Sequence, residues 1–140
     1  MNLRNGGLWL LTSHRQKAED FQEFLGYLRE GHGRRRLALL LDEDSSHTDE
    51  ESQDMAEDLS IELIWLPKRS PKLNPVDHLW GDGKDVVSAN KQYATIDDQV
   101  DRFLLYLAHL SPREVLTKGG VLSPKFWLKS ALSKKLPGCA

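Results

Sequence analysis

Two aspartates stand where a folded chain could use them for chemistry. Asp42 closes the apolar run Leu37-Ala38-Leu39-Leu40-Leu41, and Asp77 sits in the segment Ser70-Pro71-Lys72-Leu73-Asn74-Pro75-Val76-Asp77-His78-Leu79-Trp80, with 34 residues between the two acids. A continuous apolar run that stops at a carboxylate predicts a strand buried on both faces, with the acid at its carboxyl edge. In open α/β sheets that edge is the one that meets ligands. Asp44 and His47 follow closely enough to assist. An ordinary acidic turn explains the same residues, because Asp and Ser side chains there satisfy local backbone amides.

The second acid belongs to a helix start. Asn74 predicts an N-cap, and standing before a proline it is biased toward the extended conformation a cap requires. Pro75 then takes the first helical position, where its missing N–H costs nothing, and Asp77 takes the third. An acid at that position also has a local use, reaching back to the cap amide and complementing the helix dipole. The apolar face runs Val76, Leu79, Trp80, Gly83, Val86, Val87. Asp77 lies roughly 100° round from Val76, at the margin of that face, with Gly81 and Lys84 along its stripe. A carboxylate so placed can look into a cleft beside a sheet. Gly83 on the packed face costs about 1 kcal/mol relative to Ala. It predicts close approach to a strand, or a helix no longer under selection.

The elements that must position these acids follow from periodicity. Residues 7–12 are apolar and strand-sized, and Asn5-Gly6 before them is a hairpin signal, with residues 1–4 as the end of an earlier strand. Residues 17–30 predict a helix, with Phe21, Phe24, Leu25 and Leu28 on one face and Gly31 and Gly33 as the stop. A strand over Leu37–Leu41, a polar helix over 48–59 and a strand over 61–66 come next. A proline-punctuated loop spans 67–75, and a helix starts at Pro75. Thr95 caps a helix over 96–110, and a short one runs from Pro112 to Lys118. Strands alternating with helices predict a layered α/β domain.

Composition bounds the class. The chain has 140 residues, 39% hydrophobic and 29% charged, enough for one modest core. No apolar run approaches the ~20 residues of a transmembrane helix, and no signal peptide is visible. The lone Cys139 cannot form an internal disulfide or a cysteine-based zinc site, so a reducing, cytoplasmic setting is expected. The net charge of −2 hides an asymmetry: residues 1–41 sum to +3, residues 42–62 to −10 and residues 63–140 to +5. Bulk charge therefore gives no argument for nucleic-acid binding, while the basic C-terminal region gives a regional one.

Taken together, Leu39-Leu40-Leu41-Asp42 with His47 five residues on, Trp65-Leu66-Pro67, and the segment from Ser70 to Trp80 resemble the catalytic core of mariner-type insertion-sequence transposases. These are DDE/DDD endonucleases, and the resemblance covers roughly residues 1–118. It implies an α/β, ribonuclease-H-like mixed sheet flanked by helices and truncated at its N-terminus. Residues 1–118 would be a partial catalytic core and residues 119–140 a basic tail. Asp42 and Asp77 would be catalytic metal ligands, with His47 and Asn74 in support. The implied cofactor is Mg²⁺ or Mn²⁺, which in pairs drives in-line displacement at phosphorus. Carboxylates suit such hard cations, which retain waters and accept phosphate oxygens. The implied partner is DNA at transposon ends, together with a homodimer partner or a complementing N-terminal polypeptide, and no membrane.

The family carries one further aspartate on a strand upstream of the segment that residues 1–12 resemble, and the sequence begins after it. Asp20, beside Phe21 in a predicted helix, is no substitute. Two acids are expected to hold one divalent ion weakly, if at all, and to leave the chain without strand-transfer activity alone. Lys68, Arg69, Lys72 and Lys84 are the candidate DNA contacts. A non-catalytic DNA-binding or dimerisation remnant is the alternative, and it would tolerate loss of Asp42 and Asp77. Leu41-Asp42-Glu43-Asp44-Ser45 also fits a haloacid-dehalogenase phosphatase motif, but Asp97-Asp98 reads better as first-turn helix charge than as that family's later acidic pair. His14, His32, His78 and His109 show no ligand spacing. Trp9, Trp65 and Trp80 are expected in the core, and Trp127 beside Lys125 and Lys129 is expected to pack or to stack on a base.

Overall fold

The computed structural model describes residues 1–13, 15, 17–88 and 92–129. His14, Lys134, Lys135 and Cys139 lie outside the described residues. The chain divides into two compact units, one comprising Trp9–Ser70 and the other Met1–Leu8 with the described part of Pro71–Lys134.

In the first unit, α1 (Ala18–His32) is followed by β1 (Leu37–Leu41), the short helix α2 (Ser45–Thr48), α3 (Glu50–Asp58) and β2 (Ile61–Trp65). The strands pair in parallel, from Leu37 opposite Ile61 to Leu41 opposite Trp65. Beyond that register, Leu66 N–H donates to the Leu41 carbonyl at 2.8 Å, so the ladder is held right up to Asp42. Phe21 and Leu25 of α1, Ala56 of α3, Leu41 and Ile61 form the core, with Leu37, Leu39, Leu63 and Trp65 against it.

Three sequence expectations change here. First, β1 is not buried on both faces. Ala38 is exposed, as are Glu62 and Ile64 of β2, so the strands alternate and α1 and α3 cover one face. Second, residues 7–12 form no strand, nor do residues 1–4. Asn2 and Gly7 close a turn, with Asn2 N–H donating to Gly7 O at 2.8 Å and Gly6 N–H to Asn2 O at 2.9 Å. Trp9 instead lies on α1, its ring 5.4 Å from Tyr27 and 4.7 Å from His32. That contact also explains why α1 runs through Gly31. A Cβ there would meet the Trp9 ring at 2.3 Å, so the glycine serves packing, and the helix stops at Gly33, with φ of +60°. Third, the polar helix expected over 48–59 is α3, which starts at Glu50 after a cap at Asp49, where ψ is 137°, and a separate short helix, α2, precedes it unforeseen. Asp44 caps α2 by accepting from Ser46 N–H, and Asp49 caps α3 by accepting from Ser52 N–H.

Arg29 ties this unit together. Its Nε donates to Leu59 O at 2.8 Å, Nη1 to Gly33 O at 2.9 Å and Arg35 O at 2.7 Å, and Nη2 to Ser60 O at 3.1 Å. One guanidinium thus joins the end of α1, the approach to β1 and the turn entering β2, a task suited to its planar fork of donors.

In the second unit, a 3-10 turn (Pro71–Leu73) leads into α4 (Pro75–Ser88), followed by α5 (Ile96–Ala108) and α6 (Pro112–Lys118). Thr95 caps α5 through Asp98 N–H, and Ser111 with Glu114 forms a capping box on α6. Leu79, Val87, Leu107, Val115 and Leu116 are buried. Gly83 allows a close approach, though not to a strand: a Cβ would meet the Phe103 ring of α5 at 2.6 Å. Beyond α6, Val121 is buried, and the Trp127 indole N–H donates to Leu73 O at 2.9 Å. Trp127 is therefore an anchor for the turn before α4.

Candidate active site

Asp42 follows β1 directly, and its carboxylate side chain is 63% exposed. His47, in α2, turns its Nδ1 toward it, 3.0 Å from Asp42 Oδ1 and 3.0 Å from the Asp42 carbonyl oxygen. The imidazole also packs against Phe21 of α1, ring centroids 4.5 Å apart and planes tilted by 49°, so its orientation is set from both sides.

The loop that carries His47 is anchored. Asp44 Oδ1 accepts from Ser46 N–H at 3.0 Å and from Ser46 Oγ at 2.6 Å. The hydroxyl bond, then the amide bond, holds the Asp44 carboxyl below the usual aspartate range. Asp44 is thus occupied with the backbone turn. Ser52, fully buried in α3, donates to Ser46 O at 3.1 Å and accepts from Gln22 Nε2 at 3.2 Å. Glu43 pairs with Lys68 at 3.7 Å, an exposed contact of small energetic weight.

Asp77 occupies the first turn of α4, exposed, in the second unit. Asn74 Oδ1 accepts from Val76 N–H at 3.1 Å, the cap expected of a residue before a first-turn proline. Asn74 O accepts from Asp77 N–H at 3.1 Å, and Asn74 N–H donates to Pro71 O at 3.1 Å. His78 turns back on the same loop, its Nε2 2.8 Å from Lys72 O. Asp42, His47, Lys68 and Arg69 therefore belong to the Trp9–Ser70 unit, and Lys72, Asn74, Asp77 and Lys84 to the other. Arg69 has a positive φ of 56°, which places it at the corner of the loop. Asp20 lies in the first turn of α1, its Oδ2 accepting from Lys17 N–H at 3.1 Å. Among the described residues, no group of three or more His, Cys, Asp or Glu side chains gathers as a metal nest.

A polar cluster that the spacing of residues did not announce stands behind Asp77 on the same helix. Asp82 Oδ2 accepts from the Tyr106 hydroxyl of α5 and lies 3.0 Å from Lys118 Nζ of α6. The Tyr106 bond, then the Lys118 bond, pulls the Asp82 carboxyl below its usual range. Burial first, then the Asp82 bond, raises the Tyr106 phenol, and the same carboxylate raises the Lys118 ammonium. No local pattern signals this group, because its members come from three helices.

Comparison with known proteins agrees with this architecture. The family model described as DDE superfamily endonuclease matches residues 1–99. The crystal structure of the catalytic domain of Mos1 mariner transposase superposes with a TM-score of 0.69 at 21% identity, covering 91% of this chain and 68% of that one. The Mos1 transposase catalytic domain solved with raltegravir and Mg gives 0.68 at 20% identity, covering 89% and 67%. No curated protein matches the chain. No helix among the described residues is long and apolar enough to cross a membrane. With the family model spanning most of its length and the fold shared with a mariner transposase catalytic domain, this chain belongs to the DDE superfamily endonucleases and has their ribonuclease-H-like fold.

Proposed function

We propose that this chain is a transposase-derived catalytic region that acts on DNA, with Asp42 and Asp77 as its metal-binding carboxylates. The observation that carries the reading is Asp42 itself: an exposed carboxylate at the end of a parallel strand, its Oδ1 3.0 Å from a histidine packed on Phe21, in a member of the DDE endonuclease family. The donor set fits a hard divalent ion. Carboxylate oxygens suit Mg²⁺ or Mn²⁺, which keep waters and complete their shell with phosphate oxygens. When bound, such an ion polarises a phosphodiester and lowers the pKa of its water.

The chain's own residues have separate tasks. His47 orients the Asp42 carboxylate, as partners of metal ligands do. Asn74 fixes the helix start that carries Asp77. Lys68, Arg69, Lys72 and Lys84 meet the DNA backbone, where cations set affinity and register without reading sequence. Residues 1–118 form the catalytic core and residues 119–140 its basic extension.

On this reading the 140 residues alone do not perform strand transfer. A two-ion centre needs more carboxylates than Asp42 and Asp77, and the one aspartate that precedes them, Asp20, is committed to the start of α1. The additional acid of a two-ion centre would come from outside these 140 residues. Calorimetric titration of Mn²⁺ into the protein, with Asp42→Asn and Asp77→Asn beside it, tests the assignment. Weak binding lost in both variants supports it, and binding unchanged in both rejects it. A non-catalytic DNA-binding remnant predicts DNA affinity with no metal dependence at all.

A further inference from the structure

Beside Asp42, the first unit holds a cleft of about 480 Å³ whose lining includes Arg15, Lys17, Phe21, Phe24, Ser46 and His47. We propose that this cleft receives a single unpaired nucleotide of a DNA strand whose backbone runs past Asp42. The inference rests on the DNA-directed reading above and names a substrate contact that reading does not contain.

Three observations lead there. The cleft and the carboxylate share a wall, since His47 lines the cleft and lies 3.0 Å from Asp42 Oδ1. The cavity is therefore next to the atoms that would meet the scissile strand, within one compact unit. Its interior is aromatic, with buried Phe21 and His47 in a tilted contact at 4.5 Å and a half-buried Phe24 offering the accessible ring face. Its rim carries the exposed cations Arg15 and Lys17 beside one acid, Asp20, which accepts from the Lys17 backbone amide and interacts with both cations, leaving the rim net positive.

A flat π-face beside two exposed cations is the chemistry that single-stranded nucleic acid selects: bases stack on the ring and phosphates meet the charges. Paired bases are stacked on one another and cannot offer a face to a recessed ring, so duplex DNA would reach only the rim. The volume is enough for one base with its sugar.

The test is fluorescence anisotropy with a labelled single-stranded oligonucleotide, an equal-length blunt duplex and a mononucleotide competitor, without metal. The single strand should bind more tightly than the duplex. Phe24→Leu, which keeps bulk but removes the π-face, should weaken single-strand binding roughly tenfold, and Phe24→Tyr should restore it. Arg15→Ala with Lys17→Ala, both at exposed positions, should make the slope of log affinity against log salt shallower, by about 0.7 for each phosphate no longer neutralised. Equal affinity for duplex and single strand, or unchanged affinity in both Phe24→Leu and the double variant, overturns the proposal. Competition by mononucleotide alone, with no advantage for the oligonucleotide, overturns the strand assignment. Asp42→Asn does not enter these readouts, so failure here is distinguishable from failure of the metal assignment.

Discussion

His47 Nδ1 lies equally close, 3.0 Å, to the side-chain Oδ1 and to the main-chain carbonyl oxygen of Asp42. A single ring nitrogen thus holds both the orientation of the carboxylate and the turn that leaves β1. The ring is itself fixed by Phe21, so the geometry is prepared by α1 before any ligand arrives.

Replacing that nitrogen should cost ligand affinity more than stability. His47→Phe retains an aromatic ring against Phe21 and removes the nitrogen. Orienting partners of metal ligands are worth about 10–100-fold in metal affinity, so Mn²⁺ binding should weaken by roughly tenfold with a nearly unchanged melting temperature. Calorimetry beside a thermal melt separates the two effects.

Gly83→Ala should destabilise the protein despite alanine's advantage of about 1 kcal/mol in a helix. The new methyl would meet Phe103 at 2.6 Å, forcing that ring or α5 to move. Overpacking of this kind costs about 1–3 kcal/mol, so a net loss of up to about 2 kcal/mol is expected from urea unfolding. Adding Phe103→Leu should recover part of it, because the two positions are in direct contact.

Arg29→Ala should lower stability by about 2 kcal/mol, since a charged donor bonded to several carbonyls is worth more than a neutral one. Arg29→Lys should recover less than half, because an ammonium cannot span the carbonyls of Leu59, Ser60, Gly33 and Arg35 together. Chemical denaturation of both variants checks the ranking.

Acid should loosen both units. Asp44 and Asp82 each have a carboxyl pKa depressed in the folded state, by Ser46 and by Tyr106 with Lys118 respectively. A depressed carboxylate contributes stability above its unfolded value of about 3.9, and loses that contribution as pH falls through the folded value. Stability should therefore decline below about pH 4, modestly, because Asp44 is exposed and Asp82 is only partly buried. Asp82→Asn should flatten that decline and lower stability at neutral pH. An acid limb identical to the parent's would show that Asp82 contributes nothing to it.

The two acids illustrate what local sequence can and cannot carry. Asn74 before Pro75 announces the cap that starts α4, and the apolar run into Asp42 announces β1, because each depends on neighbours only a few residues away. The start of α3 after Asp49 was locally encoded too, but the short helix α2 before it, capped by Asp44, was not announced, because a single turn of polar residues carries no periodicity. The expected strand over residues 7–12 failed for a different reason. Apolar character licenses any burial, and Trp9 found its burial on Tyr27 and His32.

The sequence by itself determined the caps, the helical faces, the parallel strand pair's apolar runs and the signature that ties Asp42 and Asp77 to the DDE family. Only the tertiary structure decided that His47 turns onto Asp42, that Gly83 faces Phe103, that Asp82 gathers Tyr106 and Lys118, and that Arg15 and Lys17 line one cleft with Phe21 and Phe24. The physical reason is range. Capping and periodicity act over one or two turns of backbone, whereas these contacts join residues made neighbours by packing, and no spacing along the chain records them.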